Sequence, residues 1–377
     1  MKWEKKKLCE CTEYITDGDH QPAPKADKGV HFIKIKDIVN NQVSFDAQVY
    51  VPQEYYDNLP MERKPQKEDV LYTIVGSFGI PSYVQTDELF CFERNIALLH
   101  PNKDIEPRFL YYSLKNPAFY KGVEIVANGS AQKLIPLSKL KDLKILVPDK
   151  EAQRHIADIL SAYDDLIENN QRQIKLLEEA AQRLYKVWFV DLNFPGHENT
   201  KIVDGVPEGW SRGLLKELIS VNYGKDHKKA PDDGNIPVYG SGGLMRKCNK
   251  SLFSGEAVLI PRKGSLNNIM YVDETFWTVD TMFYATMKQP HTAVFVYFFV
   301  KAFDMYSMNI GAAVPSMTTK ILDAMDVVIP DKETLEKFDK LTKTYFNKIK
   351  TLQGQNERLK IARDLLLPKL MSGEVEV

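Results

Sequence analysis

Basic, amide and hydroxyl side chains gather in turn-rich segments of this 377-residue chain. Such side chains hydrogen bond to the phosphates and base edges of DNA, so these clusters are candidate DNA contacts. In the second half the candidates are Lys225, His227, Lys228, Lys229, Ser241, Arg246, Lys247, Lys250, Arg262, Lys263, Asn267 and Asn268. In the first half they are His20, Gln21, Lys25, Lys34, Lys36, Ser77, Gln132 and Lys133. Any single member could instead be a solvated loop residue. The clusters are better candidates than their members, because phosphate attraction tolerates exchange among nearby lysines.

One motif would suit an enzyme, the tetrapeptide Asn116-Pro117-Ala118-Phe119. It resembles the N-P-P-F sequence with which adenine-N6 methyltransferases clamp the target amino group, but it departs from that sequence at Ala118. No F-x-G-x-G cofactor loop opens a βα unit, and the stretch 239–243 has neither the spacing nor a following helix pattern. We therefore expect Asn116-Pro117 to end a helix over 109–115, and we expect no catalysis by this chain.

Other sites and classes of protein lack their signals. The sequence has no G-x-x-x-x-G-K-[ST] nucleotide loop, no H-E-x-x-H metal helix and no C-x-x-C pair among its 4 cysteines and 7 histidines. We therefore expect neither a metal nor a cofactor on this chain, and we interpret the cysteines as reduced packing residues. No apolar run approaches the ~20 residues of a membrane span, and the charged start is not a signal peptide. These patterns favour a cytoplasmic protein.

The charge balance is close to neutral. The chain carries 50 Lys+Arg against 51 Asp+Glu, for a formal net charge of −1. This balance excludes a highly basic protein, but it does not exclude a local basic face.

The chain contains an internal duplication. Residues 129–151, GSAQKLIPLSKLKDLKILVPDKE, align without a gap on 311–333, GAAVPSMTTKILDAMDVVIPDKE. Upstream, the Val-Leu, Gly-Ser and Tyr-Val pairs of 70–84 return in the same order at 258–272. The starts of the two halves also correspond, because Trp3 and Leu8 align with Trp210 and Leu215. Three matches in the same order indicate two related halves.

Each half has a turn-rich β domain, then a short apolar strand that ends in Pro-Asp, then a long helix. Proline cannot continue the strand, whereas aspartate is a good helix N-cap. The fold class predicted is α/β, with two related β-rich domains, two long helices and a pseudo-two-fold duplication. The predicted boundaries are 1–150 (first domain), 151–191 (first helix), 192–208 (linker), 209–331 (second domain), 332–371 (second helix) and 372–377 (tail).

Heptad spacing marks both helices. The first seam is Ile156, Leu160, Tyr163, Ile167, Asn170, Ile174, Leu177, Ala181, Leu184 and Trp188. The second is looser and includes Tyr345, Ile349, Leu352, Asn356, Leu359 and Leu366. Two seams of matched length favour an antiparallel coiled coil within the chain. The alternatives are that each helix packs on its own domain or drives homodimerisation. The two asparagines could fix the register of the pair or face solvent.

In this order, the motifs resemble the specificity subunit of type I restriction-modification systems. The resemblance covers nearly the whole chain. It rests on the duplicated G-x-A…(I/V)PDKE junctions and on the helix end L-Y-K-V-W-F-V-D at 184–191. It rests also on the linker from Phe194-Pro195-Gly196 to Val206-Pro207-Glu208-Gly209-Trp210, and on the C-terminal L-L-P-K-L-M-S-G-E at 366–374.

The resemblance implies a non-catalytic DNA reader with two target recognition domains, each for one half of a bipartite, asymmetric DNA site. It implies that the helices set the half-site spacing and bind two methyltransferase subunits, which would carry the S-adenosylmethionine. A restriction motor-nuclease subunit is a further possible partner. The alternative from another class is a coiled-coil assembly scaffold that never binds DNA.

Overall fold

The chain folds into two units. A computed structural model describes residues 3–127, 133–308 and 316–377. One unit comprises Met1–Asn170 with Gly354–Val377, and the other comprises Gln171–Gln353. Each unit therefore contains one predicted domain and a part of each long helix.

The first unit begins with a β-rich domain. Its strands are β1 (Glu4–Lys7), β2 (Thr12–Asp17), β3 (Val30–Ile33), β4 (Ile38–Val39), β5 (Gln42–Val43), β6 (Tyr50–Val51), β7 (Val70–Thr73), β8 (Pro81–Tyr83), β9 (Phe90–Phe92), β10 (Ile96–Pro101) and β11 (Lys144–Val147). Its helices are α1 (Leu8–Cys11), α2 (Gln53–Asp57), α3 (Pro107–Lys115), α4 (Pro117–Val126) and α5 (Leu137–Asp142). The long helix α6 (Lys150–Tyr185) follows and ends in a π-helical turn, Lys186–Val190.

The strands of this domain form a four-stranded sheet of order β2-β10-β7-β8 and a three-stranded sheet of order β6-β3-β9. The pair β3–β9 is parallel, and β1 pairs with β11. The core includes Val70, Tyr72 and Leu99 from the sheet and Phe109 and Leu110 from α3, all of them inaccessible to solvent.

The second unit repeats the plan. Its strands are β12 (Ile202–Val203), β13 (Val206–Pro207), β14 (Ser211–Leu214), β15 (Ile219–Tyr223), β16 (Ile236–Gly240), β17 (Gly243–Cys248), β18 (Phe253–Pro261), β19 (Met270–Thr278), β20 (Met282–Met287) and β21 (Asp326–Ile329). Its helices are α7 (Ala293–Lys301), α8 (Thr319–Asp323) and the first part of α9 (Lys332–Ser372).

The two domains share one sheet topology. The second sheet has the order β15-β20-β18-β19-β16-β17, in which β19 takes the places of both β8 and β9. The parallel pair β16–β19 corresponds to β3–β9, and the pair β14–β21 corresponds to β1–β11. The structure confirms two related β-rich α/β domains.

The long helices pair in antiparallel fashion. In the first unit the α6 residues Asp164 and Asn170 contact the α9 residues Arg363 and Asn356, so numbering rises along one helix as it falls along the other. In the second unit Trp188, just beyond α6, packs on Phe338 near the start of α9, with ring centroids 5.8 Å apart. The seam residues also pack on the β-rich domains. Ile156 and Leu160, for example, are part of the hydrophobic core of the first domain. Pairing within the chain and packing on each domain thus occur together.

Two local predictions have different outcomes. Aspartate caps both long helices, because Asp149 accepts the Ala152 N–H at 3.0 Å and Asp331 accepts the Thr334 N–H at 2.9 Å. The cysteine prediction is wrong in part: Cys9 is exposed on the short helix α1 and packs in no core, whereas the other three cysteines are buried.

Candidate nucleic-acid interface

In the second domain, several segments that carry candidate residues meet at one end of the six-stranded sheet. The turn 279–281 between β19 and β20 lies at this end. The Lys225 N–H donates to the Thr278 carbonyl at 2.9 Å, and the Arg262 N–H donates to the Thr281 carbonyl at 2.8 Å. The Val279 N–H donates to the carbonyl of Tyr239, on β16, at 3.0 Å. We call this region the second sheet end.

A glycine lets the chain cross this sheet end. A Cβ at Gly224 would overlap the carbonyl oxygen of Val279, so only glycine permits so close an approach. The candidate residues that follow it, Lys225, Lys228 and Lys229, are exposed, as is Lys263 on the neighbouring turn. None of these four side chains has a hydrogen bond or ion pair within the part of the chain that the structure describes. They are available to bind an anion.

Other candidates hold this surface in place. The Arg246 guanidinium donates to the Ala230 carbonyl at 2.8 Å and contacts the carbonyl of His227, so it fixes the loop after Gly224. The Asn268 amide donates to the Ser241 carbonyl at 2.8 Å.

Arg262 and Asn267 are also engaged. The Arg262 guanidinium lies 5.5 Å from the ring centroid of Tyr223. The Asn267 amide donates to Asp304 at 3.0 Å, and its oxygen accepts the Met305 N–H at 2.8 Å. His227 and Ser241 are half-buried. Lys247 and Lys250 are exposed, but they lie on and just beyond the edge strand β17, away from the turn.

The first domain has an equivalent sheet end around the turn 93–95, between β9 and β10. The Glu93 N–H donates to the Ile33 carbonyl at 3.0 Å, and the Ile74 N–H donates to the Asn95 carbonyl at 2.9 Å. A Cβ at Gly18 would overlap the Phe92 carbonyl oxygen, just as a Cβ at Gly224 would overlap the Val279 carbonyl oxygen at the second sheet end. The sequence did not predict this correspondence between the two glycines.

The first-domain candidates lie in three segments near this end. Gln21, Lys25 and Lys36 are exposed, Lys34 is half-buried, and His20 Nε2 lies 3.1 Å from the Asp17 carboxylate. A second group forms where the Gly76 N–H donates to the Lys133 carbonyl at 3.2 Å, which brings exposed Ser77 close to Lys133. The Lys133 ammonium lies 5.5 Å from the Phe78 ring. The candidate Gln132 lies outside the described residues.

Sequence reasoning missed two arginines at the first sheet end. Arg63 donates to Asp19 at 3.1 Å. Burial opposes ionisation of Asp19, but hydrogen bonds from the Gln21 backbone and the Tyr55 hydroxyl, with the charge of Arg63, lower its pKa overall. Arg94 is exposed at the apex of the turn. Only an alignment of the two halves strand by strand could have identified it, because no other basic residue is adjacent to it.

All sixteen seam residues named from the heptad spacing are at least partly withdrawn from solvent. The buried ones are Ile156, Leu160, Ile167, Asn170, Ala181, Trp188, Ile349, Leu352 and Asn356. The half-buried ones are Tyr163, Ile174, Leu177, Leu184, Tyr345, Leu359 and Leu366. Within the first unit the Asn170 amide donates to the Asn356 side-chain oxygen at 2.8 Å.

The possible enzyme motif has a structural role. The Asn116 side chain accepts the Ala118 N–H at 3.0 Å, and so caps α4 directly after α3 ends. In the ranges that the structure describes, no group of three or more His, Cys, Asp or Glu residues could hold a metal ion. No helix in those ranges is long and apolar enough to cross a membrane.

Comparison with known proteins agrees with this organisation. The family model for the type I restriction modification DNA specificity domain matches residues 1–179 and 207–360. The MjaIX specificity subunit of Methanocaldococcus jannaschii is 26% identical, over 75% of this chain and 72% of that protein. The HindI specificity subunit of Haemophilus influenzae is 23% identical, over 92% and 94%.

A solved structure shares the fold. The type I restriction-modification S subunit of M. genitalium superposes with a TM-score of 0.64 at 19% identity, over 98% of this chain and 96% of that one. Because the family model matches both halves in most of their length, the chain belongs to the type I restriction-modification specificity subunits, which recognise DNA sequence and have no catalytic role of their own.

Proposed function

We propose that each domain reads one half of a bipartite, asymmetric DNA site, the first through residues 1–150 and the second through residues 209–331. The observation that carries this proposal is that each domain presents candidate DNA contacts at the same end of the same sheet topology. The side chains at the two ends differ, as Asp19 and Lys225 illustrate. Two similar frames with different side chains suit two different half-sites.

The lysines of the second sheet end would hold phosphates. Lys225, Lys228, Lys229 and Lys263 are exposed, and flexible ammonium groups bind phosphate as point charges. The remaining candidates at both ends would contact bases or orient the loops. Specificity would come from hydrogen bonds to base edges in the grooves.

The long helices (151–191 and 332–371) would set the half-site spacing, with 192–208 as linker and 372–377 as tail. α6 has 36 residues and α9 has 41, which correspond to about 54 and 62 Å at about 1.5 Å per residue. A helical turn of DNA is about 34 Å. Stiff rods of this length, less the docking at each end, suit half-sites about one turn apart, and binding of the second half-site becomes effectively intramolecular.

The helices would also bind two methyltransferase subunits, which carry S-adenosylmethionine, and a motor-nuclease subunit could join them. Apolar side chains on the helices of the first unit support such docking. Leu166, Ile361 and Leu365 are 51%, 59% and 65% exposed. Exposed apolar groups on a helix often mark a protein interface. The complex would act in the cytoplasm, where the DNA is.

The test is to purify the tagged chain from its own cells and to identify the proteins that accompany it. We expect a methyltransferase at about two copies per chain. Mapping of methylated adenines in the same cells should then give a two-part motif with a fixed gap. A chain recovered only as a homodimer, or a continuous methylation motif, would contradict the proposal and favour the scaffold.

A further inference from the structure

One side chain projects from the apex of the turn at each sheet end, Arg94 in the first domain and Asp280 in the second. The two positions are equivalent by strand register. Phe92 pairs with Ile33 across the parallel strands of the first domain, as Thr278 pairs with Tyr239 in the second. In both domains three turn residues follow before the next strand starts, and Arg94 and Asp280 are the middle ones.

The residues beside Arg94 are fixed by the sheet. The Glu93 N–H donates to β3, and its carboxylate accepts the Ile35 N–H at 2.7 Å. The Asn95 carbonyl accepts the Ile74 N–H. Arg94 is exposed, and among the described residues its side chain has no hydrogen-bond or ion-pair partner. A rigid turn thus presents a free guanidinium.

The residues beside Asp280 are fixed in the same way. Val279 is 4% exposed. The Thr281 carbonyl accepts the N–H groups of Arg262 and Lys263 at 2.8 and 3.2 Å. Asp280 is exposed, and its carboxylate is without a partner in the described part of the chain.

The two side chains have opposite chemistry toward DNA. A guanidinium forms a two-bond fork with O6 and N7 of guanine, whereas a carboxylate accepts from the N4 amino group of cytosine. Phosphates would repel Asp280, while the nearby Lys225 and Lys263 attract them. A carboxylate in the middle of a phosphate-binding surface can bind DNA only through an amino group on a base edge.

We propose that Arg94 and Asp280 are base-reading residues, Arg94 for a guanine in one half-site and Asp280 for the amino group of a cytosine in the other. This inference rests on the proposed function, in which each domain reads one half-site.

The experiment uses the chain in complex with its methyltransferase subunits. The complex is incubated with duplexes in which one half-site at a time is randomised, and the bound DNA is sequenced. For Arg94→Gln we expect a roughly 5- to 100-fold loss of guanine preference at one position of one half-site, with a shift toward adenine. For Asp280→Asn we expect a cytosine position of the other half-site to lose its preference. In each variant the untouched half-site is an internal control for folding and assembly.

A general loss of affinity has a different signature. Lys228→Ala with Lys229→Ala should lower binding to all sequences alike, as phosphate contacts do. If Arg94→Gln and Asp280→Asn behave like this lysine pair, or leave every base preference intact, the inference is wrong. Loss of all binding by both Arg94→Gln and Arg94→Lys would also overturn it. If the unmodified complex selects no two-part site, the proposed function itself fails.

Discussion

At two equivalent backbone positions, the two sheet ends carry side chains of opposite charge. The residue after the crossing glycine is Asp19 in the first domain and Lys225 in the second, and the turn apex carries Arg94 in the first and Asp280 in the second. The sign is reversed at both positions. In the first domain Arg63 also binds Asp19 directly, so the negative charge there is compensated within the protein.

This difference shows which features of a duplicated domain are free to change. Two backbone hydrogen bonds recur at both sheet ends, because an unpaired buried N–H or carbonyl is costly. The first turn residue, Glu93 or Val279, donates to the parallel strand, and the third turn residue accepts from Ile74 or Arg262. The exposed side chains have no such constraint, and changing them usually alters stability by less than about 0.5 kcal/mol. The exposed side chains at a sheet end can therefore change without a change of fold.

The packing of each domain on the long helices shows a second contrast. In the first unit Asp164 of α6 accepts the Tyr112 hydroxyl at 2.7 Å, lies 3.6 Å from the Lys115 ammonium and pairs with Arg363. At the equivalent position of α9 in the second unit, Phe346 packs on the ring of Tyr271, 4.7 Å between centroids. At this one position the first junction is ionic and the second is aromatic, although Lys343 of α9 also pairs with Glu256 of the second domain at 3.2 Å.

The largest effect is expected at the ionic junction. Asp164→Ala leaves Arg363 and Lys115, whose side chains are only 12% and 13% exposed, without their shared carboxylate. We expect the first unit to lose about 2–4 kcal/mol of unfolding free energy, measured by urea denaturation. Asp165→Ala is the matched control. It removes an ion pair from Arg108 to a carboxylate that is 54% exposed, so it should cost less than about 1 kcal/mol.

The same junction can be converted to the chemistry of its counterpart. The 182-residue offset maps Asp164 onto Phe346 and Ala181 onto Arg363. Asp164→Phe with Arg363→Ala should therefore recover part of the stability lost in Asp164→Ala, because apolar packing can replace the Asp164–Arg363 pair. The recovery is incomplete because Lys115 and the Tyr112 hydroxyl still lack the carboxylate. Equal losses in Asp164→Ala and Asp165→Ala would show that the ionic junction is no stronger than a surface pair.

A smaller effect is expected from the buried asparagine pair of the first unit. Asn170 and Asn356 are 7% and 5% exposed, and the Asn170 amide nitrogen donates to the Asn356 side-chain oxygen. Asn170→Leu alone should cost about 1–3 kcal/mol, since it leaves the buried Asn356 side-chain oxygen without a donor. Asn170→Leu with Asn356→Leu should restore stability but loosen the helix register. Chemical denaturation reports the first effect, and a broadened half-site gap in methylation mapping reports the second. A double variant less stable than Asn170→Leu would contradict this account.

A smaller effect is expected from each proposed phosphate contact at the second sheet end. Lys228→Ala with Lys229→Ala should weaken DNA binding by the assembled complex by about tenfold, and should reduce the slope of log K against log[salt] by about 1–2. Lys216→Ala with Lys320→Ala removes the same charge near the start of β15, where that strand pairs with the far end of β20. This control should leave the slope unchanged. If both double variants give the same slope, Lys228 and Lys229 do not contact DNA phosphates.

The sequence predicted the framework better than the site, for a physical reason. Heptads, aspartate caps and internal repeats are periodic or local, so the helices α6 and α9 and the two related domains could be predicted from spacing. The site depends on contacts between distant segments, such as the Lys225 N–H with the Thr278 carbonyl. Nothing in the chain near Arg94 marks it as exposed at a turn apex, and nothing near Arg246 shows that its side chain holds a loop.

The smallest effect on stability is expected from loss of the aspartate that caps each long helix. Burial opposes ionisation of Asp331, but hydrogen bonds from the Thr334 backbone, the Thr334 hydroxyl and the Trp210 indole outweigh it and lower its pKa. The ionised form is therefore favoured by folding. The resulting stability is present above the unfolded pKa of about 3.9 and is lost as pH falls through the lower folded value.

Asp331→Ala should accordingly cost about 1 kcal/mol at pH 7, the usual value of an N-cap, and this cost should shrink in urea denaturation at pH 3. Asp149→Ala is the matched variant on the other helix, where the carboxylate caps through the Ala152 N–H. It should cost no more than Asp331→Ala at pH 7. If the cost of Asp331→Ala is the same at pH 7 and pH 3, the negative charge of the Asp331 carboxylate does not stabilise the cap.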